Sequence, residues 1–295
     1  MIDVSVIIVN YNTLELTRNT IDSVIMKTFN LNYEIILIDN NSEDGSKEFF
    51  EENYKDKIIF IKNTQNIGFG RANNKASKIA KGKYLFFLNS DTLLINNAIK
   101  ILFDFIEKNE NVAVCGGNLY DQNMQPALSY KEEMLGYNSE LLSKIKEKIF
   151  FRINKKALKI FNYTSNPKRV SIVLGADFMI RTKVFRELNG FDESFFMYHE
   201  ESELCFRVLK GNYLIYNVPE SKIIHLEGKS TKFKIEKFKM ERQGKYLFFY
   251  KTKGKKSIKK AYILSQISYL LTLKIKKIKI NREIYFKMKK EIEII

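Results

Sequence analysis

The feature that most limits what this chain can become is a series of short apolar runs, each ending in polar residues. Val4-Ser5-Val6-Ile7-Ile8-Val9 is β-branched almost throughout, the pattern of a strand covered on both faces. Asn10-Tyr11-Asn12-Thr13 turns out of it, and Leu14, Ile21, Val24 and Ile25 then recur at helical spacing. Glu34-Ile35-Ile36-Leu37-Ile38 is the next run, ending in Asp39-Asn40-Asn41-Ser42, with Gly45 in the turn. A third run, Ile58 to Ile61, precedes Asn66-Ile67-Gly68-Phe69-Gly70 and a helix expected from about Arg71 to Ala80. Gly82 stops that helix, and Tyr84–Leu88 leads to Asp91. Strands alternating with helices of this length predict βαβ units and a mostly parallel sheet with helices on both sides.

The pattern continues with a helix at Ala98–Lys108 and a strand at Val112–Cys115. Residues 121–169 are polar, basic and partly helical without strand signals, as expected of an excursion over the sheet. Order returns with Ser171–Ala176, a short helix at Lys183–Leu188, and a helix at Glu200–Lys210 that puts Leu204, Val208 and Leu209 on one face. Tyr213–Val218 is a strand, and a last short run, Ser221–Ile224, ends at His225. No internal repeat is present. The expected organisation is one α/β domain over residues 1–230 and a helical tail over 231–295.

A hydrophobic fraction of 45%, with 23 Phe and 16 Tyr, supports a packed core and excludes a disordered chain. Charge separates the two regions. Residues 231–295 hold 20 Lys and Arg against 5 Asp and Glu, while residues 1–230 hold 30 against 29, so the tail carries almost all of the net +16. Such asymmetry points to an anionic partner for the tail. Cys115 and Cys205 stand in apolar contexts with no CxxC, and are expected as buried thiols in a reducing compartment. Met1-Ile2-Asp3 opens directly into a strand without a basic leader. In the tail, Ala261–Leu273 is interrupted by Ser265, Gln266 and Ser268, and falls short of the ~20 residues that span a bilayer. The expectation is a cytoplasmic protein, peripheral on the inner face of the membrane.

Three fragments carry the chemistry: Asn89-Ser90-Asp91, Glu200-Glu201 and His225. Ligands bind in the crevice at the carboxyl ends of a parallel sheet, where Asp91 and His225 are expected. A hard divalent cation bridging phosphate oxygens takes carboxylate partners and acts as a Lewis acid on a leaving group. A neutral imidazole beside it suits Mn²⁺ better than Mg²⁺. Glu200, Glu201 and Glu203 crowd a helix N-terminus, where the macrodipole alone would favour them. A carboxylate there, partly enclosed near other acids, also has the character of a general base. Asp39 is placed either to accept the imide N–H of a uracil or thymine, or to cap the following helix.

Several ordered motifs then carry a resemblance. VSVIIVNYNT (4–13), IILIDNNSEDGS (35–46), NIGFGRANN (66–74), LNSDT (88–92), GADFMIRT (175–182), GFDESFFMYHEESELCFR (190–207) and HLEGKS (225–230) are similar to family 2 glycosyltransferases, and more closely to their bacterial rhamnosyltransferase-like branch. The resemblance covers residues 3–230. It implies a GT-A fold, a divalent metal held by Asp91 and His225, and an inverting single displacement. It further implies that Asp39 reads the base and that Glu201, second of the acid pair, is the catalytic base, with Glu200 sharing the role as the alternative. Asn12, Gly68, Arg71, Asn73 and Ser90 are expected against the nucleotide-sugar, and Gly175, Ala176 and Asp177 on the acceptor side. Two departures stand out. Asn89 replaces the first acid of the metal motif, and Glu201 stands where the family usually has Asp, an extra methylene that moves the carboxylate by roughly 1.5 Å; misplacement on the order of 1 Å can cost ~10²-fold. Asn66–Gly70 is not a dinucleotide fingerprint, since its third glycine is missing.

In the tail, Lys251, Lys253, Lys255, Lys256, Lys259 and Lys260 precede an apolar patch, and Lys274, Lys276, Lys277 and Lys279 follow it. That order suits a helix on an anionic leaflet, or else a hairpin packed on the domain or on a second copy of the chain. No nucleic-acid motif accompanies the charge, and nucleic acid is not an expected partner. The sequence therefore predicts transfer of a hexose, rhamnose from dTDP-rhamnose foremost, onto a surface-polysaccharide or lipid-linked glycan. A UDP-hexose donor is the alternative within enzymes, and a silent glycan-binding scaffold of the same fold the alternative outside them.

Overall fold

Val6 and Ile8 of β1 (Val4–Asn10) point to one face and Ile7 to the other, and all three are fully buried. The computed structural model describes residues 1–137, 161–226 and 234–294. The same division recurs in β2 (Tyr33–Asp39) and β4 (Tyr84–Asn89), whose alternate residues enter two separate apolar clusters. Helices α1 (Leu14–Lys27), α2 (Ser46–Asn53) and α4 (Ala98–Lys108) cover one face. On the other lie α3 (Phe69–Ser77), α5 (Thr182–Glu187) and α6 (Glu200–Lys210). A sheet sandwiched by helices follows from strands that are apolar on both sides.

The sheet runs β3-β2-β1-β4-β10-β6-β11-β5, with β8 on the flank of β11. Here β3 is Ile59–Lys62, β5 Thr92–Leu94, β6 Val112–Tyr120, β8 Lys168–Arg169, β10 Asp177–Arg181 and β11 Leu214–His225. Strands β3, β2, β1, β4, β6 and β11 run in one direction, while β10, β5 and β8 run against them. The antiparallel β10 is inserted between β4 and β6. Its register sets Asp177 opposite Leu88, at the carboxyl end of β4.

Several sequence expectations shift here. The ordered run at Ser171–Ala176 holds β9 (Ile172–Val173), which pairs with β7 (Tyr130–Lys131) in a separate two-stranded sheet. The sheet strand begins only at Asp177. The strand expected at Val112–Cys115 extends to Tyr120 through Gly116 and Gly117. At Gly116 an added Cβ would meet the backbone of Asp177, and at Gly117 the backbone of Ser221, so side-chain-free positions let neighbouring chains close in. Tyr213–Val218 and Ser221–Ile224 are one strand, β11, with a register irregularity between Asn217 and Lys222. Much of the 121–169 excursion, residues 138–160, lies outside the described residues, as do the 230/231 boundary and the motif end at 227–230.

The tail forms α7 (Lys234–Lys253), α8 (Lys256–Leu271) and α9 (Ile275–Ile294). They pack on the domain: Tyr246, Phe248 and Phe249 join the apolar cluster of α3 and α6. Tyr137 stacks on Phe249 with centroids 4.9 Å apart, tying the excursion to α7. No helix among the described residues is long and apolar enough to cross a membrane.

Phe87 centres the aromatic cluster under α3, with ring centroids 5.1 Å from Phe185 and 4.9 Å from Phe191. Replacing Phe87 by Ala should cost about 3–5 kcal/mol of unfolding free energy in a denaturant titration.

Candidate active site

Each candidate side chain is placed by an element end. The turn after β4 carries Asn89, Ser90 and Asp91, and α1 braces it. Thr20 Oγ1 donates to the Ser90 and Thr92 carbonyls at 2.9 and 2.8 Å, and Thr13 Oγ1 lies 3.3 Å from Ser90 Oγ. The antiparallel pairing of β5 with β11 sets His225 opposite Thr92. His225 Nε2 consequently lies 3.3 Å from Asp91 Oδ1 and 3.4 Å from Asn89 Nδ2. Leu226 N–H donates to the Asp91 carbonyl at 2.9 Å. Residues 134 positions apart in sequence thus meet at one sheet end.

The cleft beside Asp91 is lined by Tyr11, Thr13, Asn40, Gly68, Phe69 and Phe196, together with Asn89 and Ser90. Gly68 is expected here and is required: its φ is +86°, and an added Cβ would overlap the Phe196 carbonyl. Phe69 N–H donates to that same carbonyl at 2.9 Å. Asn12, also at positive φ, joins the two loops at the rim. Its Oδ1 accepts from Glu43 N–H at 2.7 Å, and its own N–H donates to Ser42 Oγ at 2.9 Å.

Asp39 is fully buried, and both its carboxylate oxygens accept hydrogen bonds, from Asn10 Nδ2 at 2.6 Å and Ser42 N–H at 2.8 Å. It organises the loop that carries Asn40 into the cleft. Arg71 donates to the Glu193 carbonyl at 2.8 Å, and Asn73 Nδ2 to the Phe69 carbonyl at 3.1 Å. Both hold α3 and its surroundings, and neither lines the cleft. Asp177 is enclosed in β10, where its Oδ2 accepts the Gly117 N–H at 2.5 Å and burial raises its carboxyl well above the usual range. It supports the sheet end beneath the site.

The three acids of α6 part company. Glu203 receives bidentate hydrogen bonds from Arg207, which also donates to the Gly190 carbonyl at 2.8 Å, so this acid fastens α6 to the preceding turn. Glu200 is buried beside Gly70, and among the described residues its Oε2 has no hydrogen-bond partner. Burial, with the neighbouring Glu201 charge second, pushes its carboxyl well above the ordinary value. Glu201 is half-buried, accepts from Ser202 Oγ at 3.0 Å, and has its Cβ 3.8 Å from where a Cβ on Gly175 would stand. That same point on Gly175 is 3.9 Å from the Phe69 ring, which borders the cleft. Glu201 is therefore the acid of the pair that faces Gly175 and the Phe69 side.

Two consecutive non-glycine residues before this helix, Tyr198 and His199, have φ of +70° and +73°. Such positions cost about 1–3 kcal/mol each and persist only where the surroundings fix them. The surroundings here are the Phe196 carbonyl on α3 and Gly244 of α7, where an added Cβ would overlap the Tyr198 carbonyl. Burial, then the nearby Lys131, keeps the His199 imidazole well below its ordinary pKa and hence neutral. Sequence reasoning missed Tyr11, Thr13, Asn40 and Phe196. Tyr11, Thr13 and Asn40 carried one signal, their place just after an apolar run, and Phe196 carried none.

Known proteins place this arrangement. Residues 5–188 match Glycosyl transferase family 2, and the chain belongs to that family. Among curated relatives, an Escherichia coli protein named UDP-Glc:alpha-D-GlcNAc-diphosphoundecaprenol beta-1,3-glucosyltransferase WfaP is 36% identical over 117 residues, covering 40% of this chain and 46% of its own. A Bacillus spizizenii poly(ribitol-phosphate) beta-glucosyltransferase is 29% identical over 117 residues, 38% of this chain and 18% of its own. An uncharacterised Methanocaldococcus jannaschii glycosyltransferase is 33% identical over 135 residues, 44% and 47%. The chain thus spans about half the length, or less, of these three relatives. Among solved structures, GalNAc-T7 with UDP, GalNAc and Mn²⁺ superposes with a TM-score of 0.59 at 21% identity, covering 84% of this chain and 50% of that one. The Pyrobaculum calidifontis mannosyltransferase PcManGT with GDP-Man and Mn²⁺ gives 0.58 at 14%, covering 95% and 73%. Both show the GT-A fold.

Burial of Glu200 carries a pH signature. Its carboxyl titrates near 4.5 when unfolded and holds its proton far above that when folded, so the folded state binds the extra proton. Native stability should fall as pH rises above about 5. Glu200→Gln should be flatter over pH 5–8, with its melting-temperature advantage over wild type widening toward pH 8. Calorimetric melts of both proteins across that range check it. Gly68→Ala should lower the melting temperature, since its side chain would strain a positive φ and displace the Phe196 carbonyl; calorimetric melts check it.

Proposed function

We propose that the protein transfers a hexosyl unit from a pyrimidine-nucleotide donor, with inversion, onto a hydroxyl of a lipid-linked glycan at an anionic membrane face. The observation that carries this is the Asp91–His225 pair, 3.3 Å apart at the edge of a cleft whose other side leads to Glu201. Two neighbouring ligands about 2.1 Å from one ion lie roughly 3 Å apart, so the pair has the spacing of a divalent cation's adjacent donors. One carboxylate oxygen and one imidazole nitrogen suit Mn²⁺, with the remaining positions left for diphosphate oxygens. Among the described residues no cluster of three or more acids, histidines and cysteines completes a cage, which fits an ion that arrives with its nucleotide. A cation held there would neutralise the departing diphosphate.

On this reading the donor lies along the Tyr11–Thr13 and Gly68–Phe69 segments. Tyr11 is exposed at the cleft and offers a stacking face to the base. Asn40 and the Asp39 loop provide the polar groups at that end, and Ser90 borders the diphosphate. Glu201 takes the proton of the acceptor hydroxyl as its oxygen attacks the anomeric carbon, the sugar–phosphate bond breaks, and the nucleoside diphosphate leaves. Burial raises the Glu200 carboxyl above its ordinary range and favours its protonated form, so the role of base is assigned to the more open Glu201. Gly175, without a side chain, leaves room beside Glu201, whereas Ala176 is buried in the cluster on the other face of the sheet and its carbonyl accepts from Asn89 N–H at 3.1 Å.

Relatives named as glucosyltransferases make UDP-glucose the first donor to test. The WfaP name also supports a diphospholipid-linked acceptor, and the basic tail supports work at a membrane face. dTDP-rhamnose remains the second donor, on the motif resemblance.

Titration calorimetry with UDP-glucose, other UDP-sugars and dTDP-rhamnose, with and without Mn²⁺, tests the reading. One donor should bind in a metal-dependent manner; binding of none by the folded protein would remove the transferase assignment in favour of a glycan-binding scaffold. Glu201→Gln should lower transfer ~10²–10⁴-fold while leaving donor affinity within about twofold. Retained turnover would shift the role of base away from Glu201. Asp91→Asn and His225→Ala should each weaken Mn²⁺-dependent donor binding by tenfold or more.

A further inference from the structure

Helix α8 is packed inside out. Its buried positions are Ser257, Ile258, Ala261, Ser265, Ser268 and Tyr269, largely small or hydroxylic. The seam they form meets Arg242 of α7, which donates to Ser265 Oγ at 3.0 Å and to the Tyr269 hydroxyl. Apart from Ile258, the exposed larger aliphatic residues face the other way. Ile263, Ile267, Leu270 and Leu271 recur at i, i+4, i+7 and i+8 and are all exposed. The stripe continues through the α8–α9 turn, where Leu273 is 85% and Ile275 75% exposed. A helix on a water-soluble surface carries the opposite polarity.

Charge around the stripe identifies its partner. Lys274, Lys276 and Lys279 are exposed beside the turn, and no Asp or Glu occurs between Glu241 and Glu283. Two copies of the chain meeting through this face in a two-fold contact would set these lysines against each other, with no acid to answer them. A surface rich in anionic headgroups over an acyl interior complements both features, lysines at the headgroups and aliphatics below.

We propose that the outer face of α8 and the α8–α9 turn, centred on Leu270, Leu271, Leu273 and Ile275, dock the protein on an anionic lipid bilayer. The same end of the bundle also touches the segment that leads into the site. Leu273 and Ile275 share a hollow with Ile235 and Phe238 at the start of α7. Between Ile235 and Phe238 in the same turn, Lys237 Nζ lies 5.9 Å from the ring centroid of Tyr198, in the strained segment that leads into Glu200 and Glu201. Docking by this end of the bundle would bring the Tyr198 segment, and the acid pair after it, near the membrane, where a lipid-linked acceptor presents its glycan. That last step rests on the lipid-linked acceptor reading; the docking surface does not.

Flotation of the full chain with phosphatidylcholine vesicles, with and without phosphatidylglycerol, tests the surface. Wild type should float with the anionic vesicles and dissociate as salt is raised. Leu270→Ser/Leu273→Ser/Ile275→Ser should lower the bound fraction at least tenfold at unchanged circular dichroism, and Leu273→Ser alone several-fold should the triple variant fail to fold. Lys274→Glu/Lys276→Glu/Lys279→Glu should abolish the preference for anionic vesicles. Failure of the wild type to float, equal flotation of the apolar variants, or a wild-type dimer that the triple variant turns into a monomer would each overturn the proposal. Transfer to a short soluble acceptor, unchanged in the triple variant, keeps the two questions apart. A protein that floats but transfers nothing leaves the docking surface standing and removes only the enzymatic reading.

Discussion

One peptide contact holds the two halves of the candidate site together: the Phe69 N–H donating to the Phe196 carbonyl at 2.9 Å. Residue 69 opens the helix bordering the cleft, and residue 196 begins the segment leading to Glu200 and Glu201. Gly68 allows the approach, since any side chain there would occupy the place of the Phe196 carbonyl. Without that contact, the Asp91–His225 pair and the acid helix would be two unrelated sheet-end decorations. With it, the cleft beside Asp91 and the segment leading to Glu200 and Glu201 share one short stretch of chain. The left-handed Tyr198 and His199 are the conformational cost of aiming the helix there.

The tail is part of this arrangement. Gly244 of α7 lies against the Tyr198 carbonyl, and Phe248 and Phe249 enter the same apolar cluster as α3 and α6. Helices expected either on an anionic leaflet or packed as a hairpin on the domain do pack on it, and brace the strained segment from behind. The outer side of α8 remains available for a partner because its bundle-facing side is satisfied by serines, Arg242 and Tyr269.

Environment separates chemically similar groups. Glu200, Glu201 and Glu203 occupy four consecutive positions with Ser202, yet one is enclosed and proton-holding, one half-exposed and one locked to Arg207. Helical geometry directs them to different sides, and the neighbours they meet decide their state. The two histidines divide in the same way: His225 faces Asp91, while His199 is buried and neutral.

Much of the architecture was legible in the chain itself. Apolar runs covered on both faces and helices of regular period specified β1, α1, β2, β4, α4 and α6, because local periodicity and burial demand agree in those segments. The ends of those runs named Asp39, Asp91 and Glu200–Glu201, since polar residues closing a buried strand or opening a helix are visible without coordinates. What the chain alone could not decide depends on contacts distant in sequence. The antiparallel insertion of β10, the single long β11, the 3.3 Å meeting of Asp91 with His225 and the outward face of α8 are all of this kind. Pairing register and helix facing are set by which surfaces find each other, and a one-dimensional pattern holds no record of that choice. Asp39 shows the difference most plainly: sequence placed it at a strand end, and only folding closed Asn10 and Ser42 around its carboxylate.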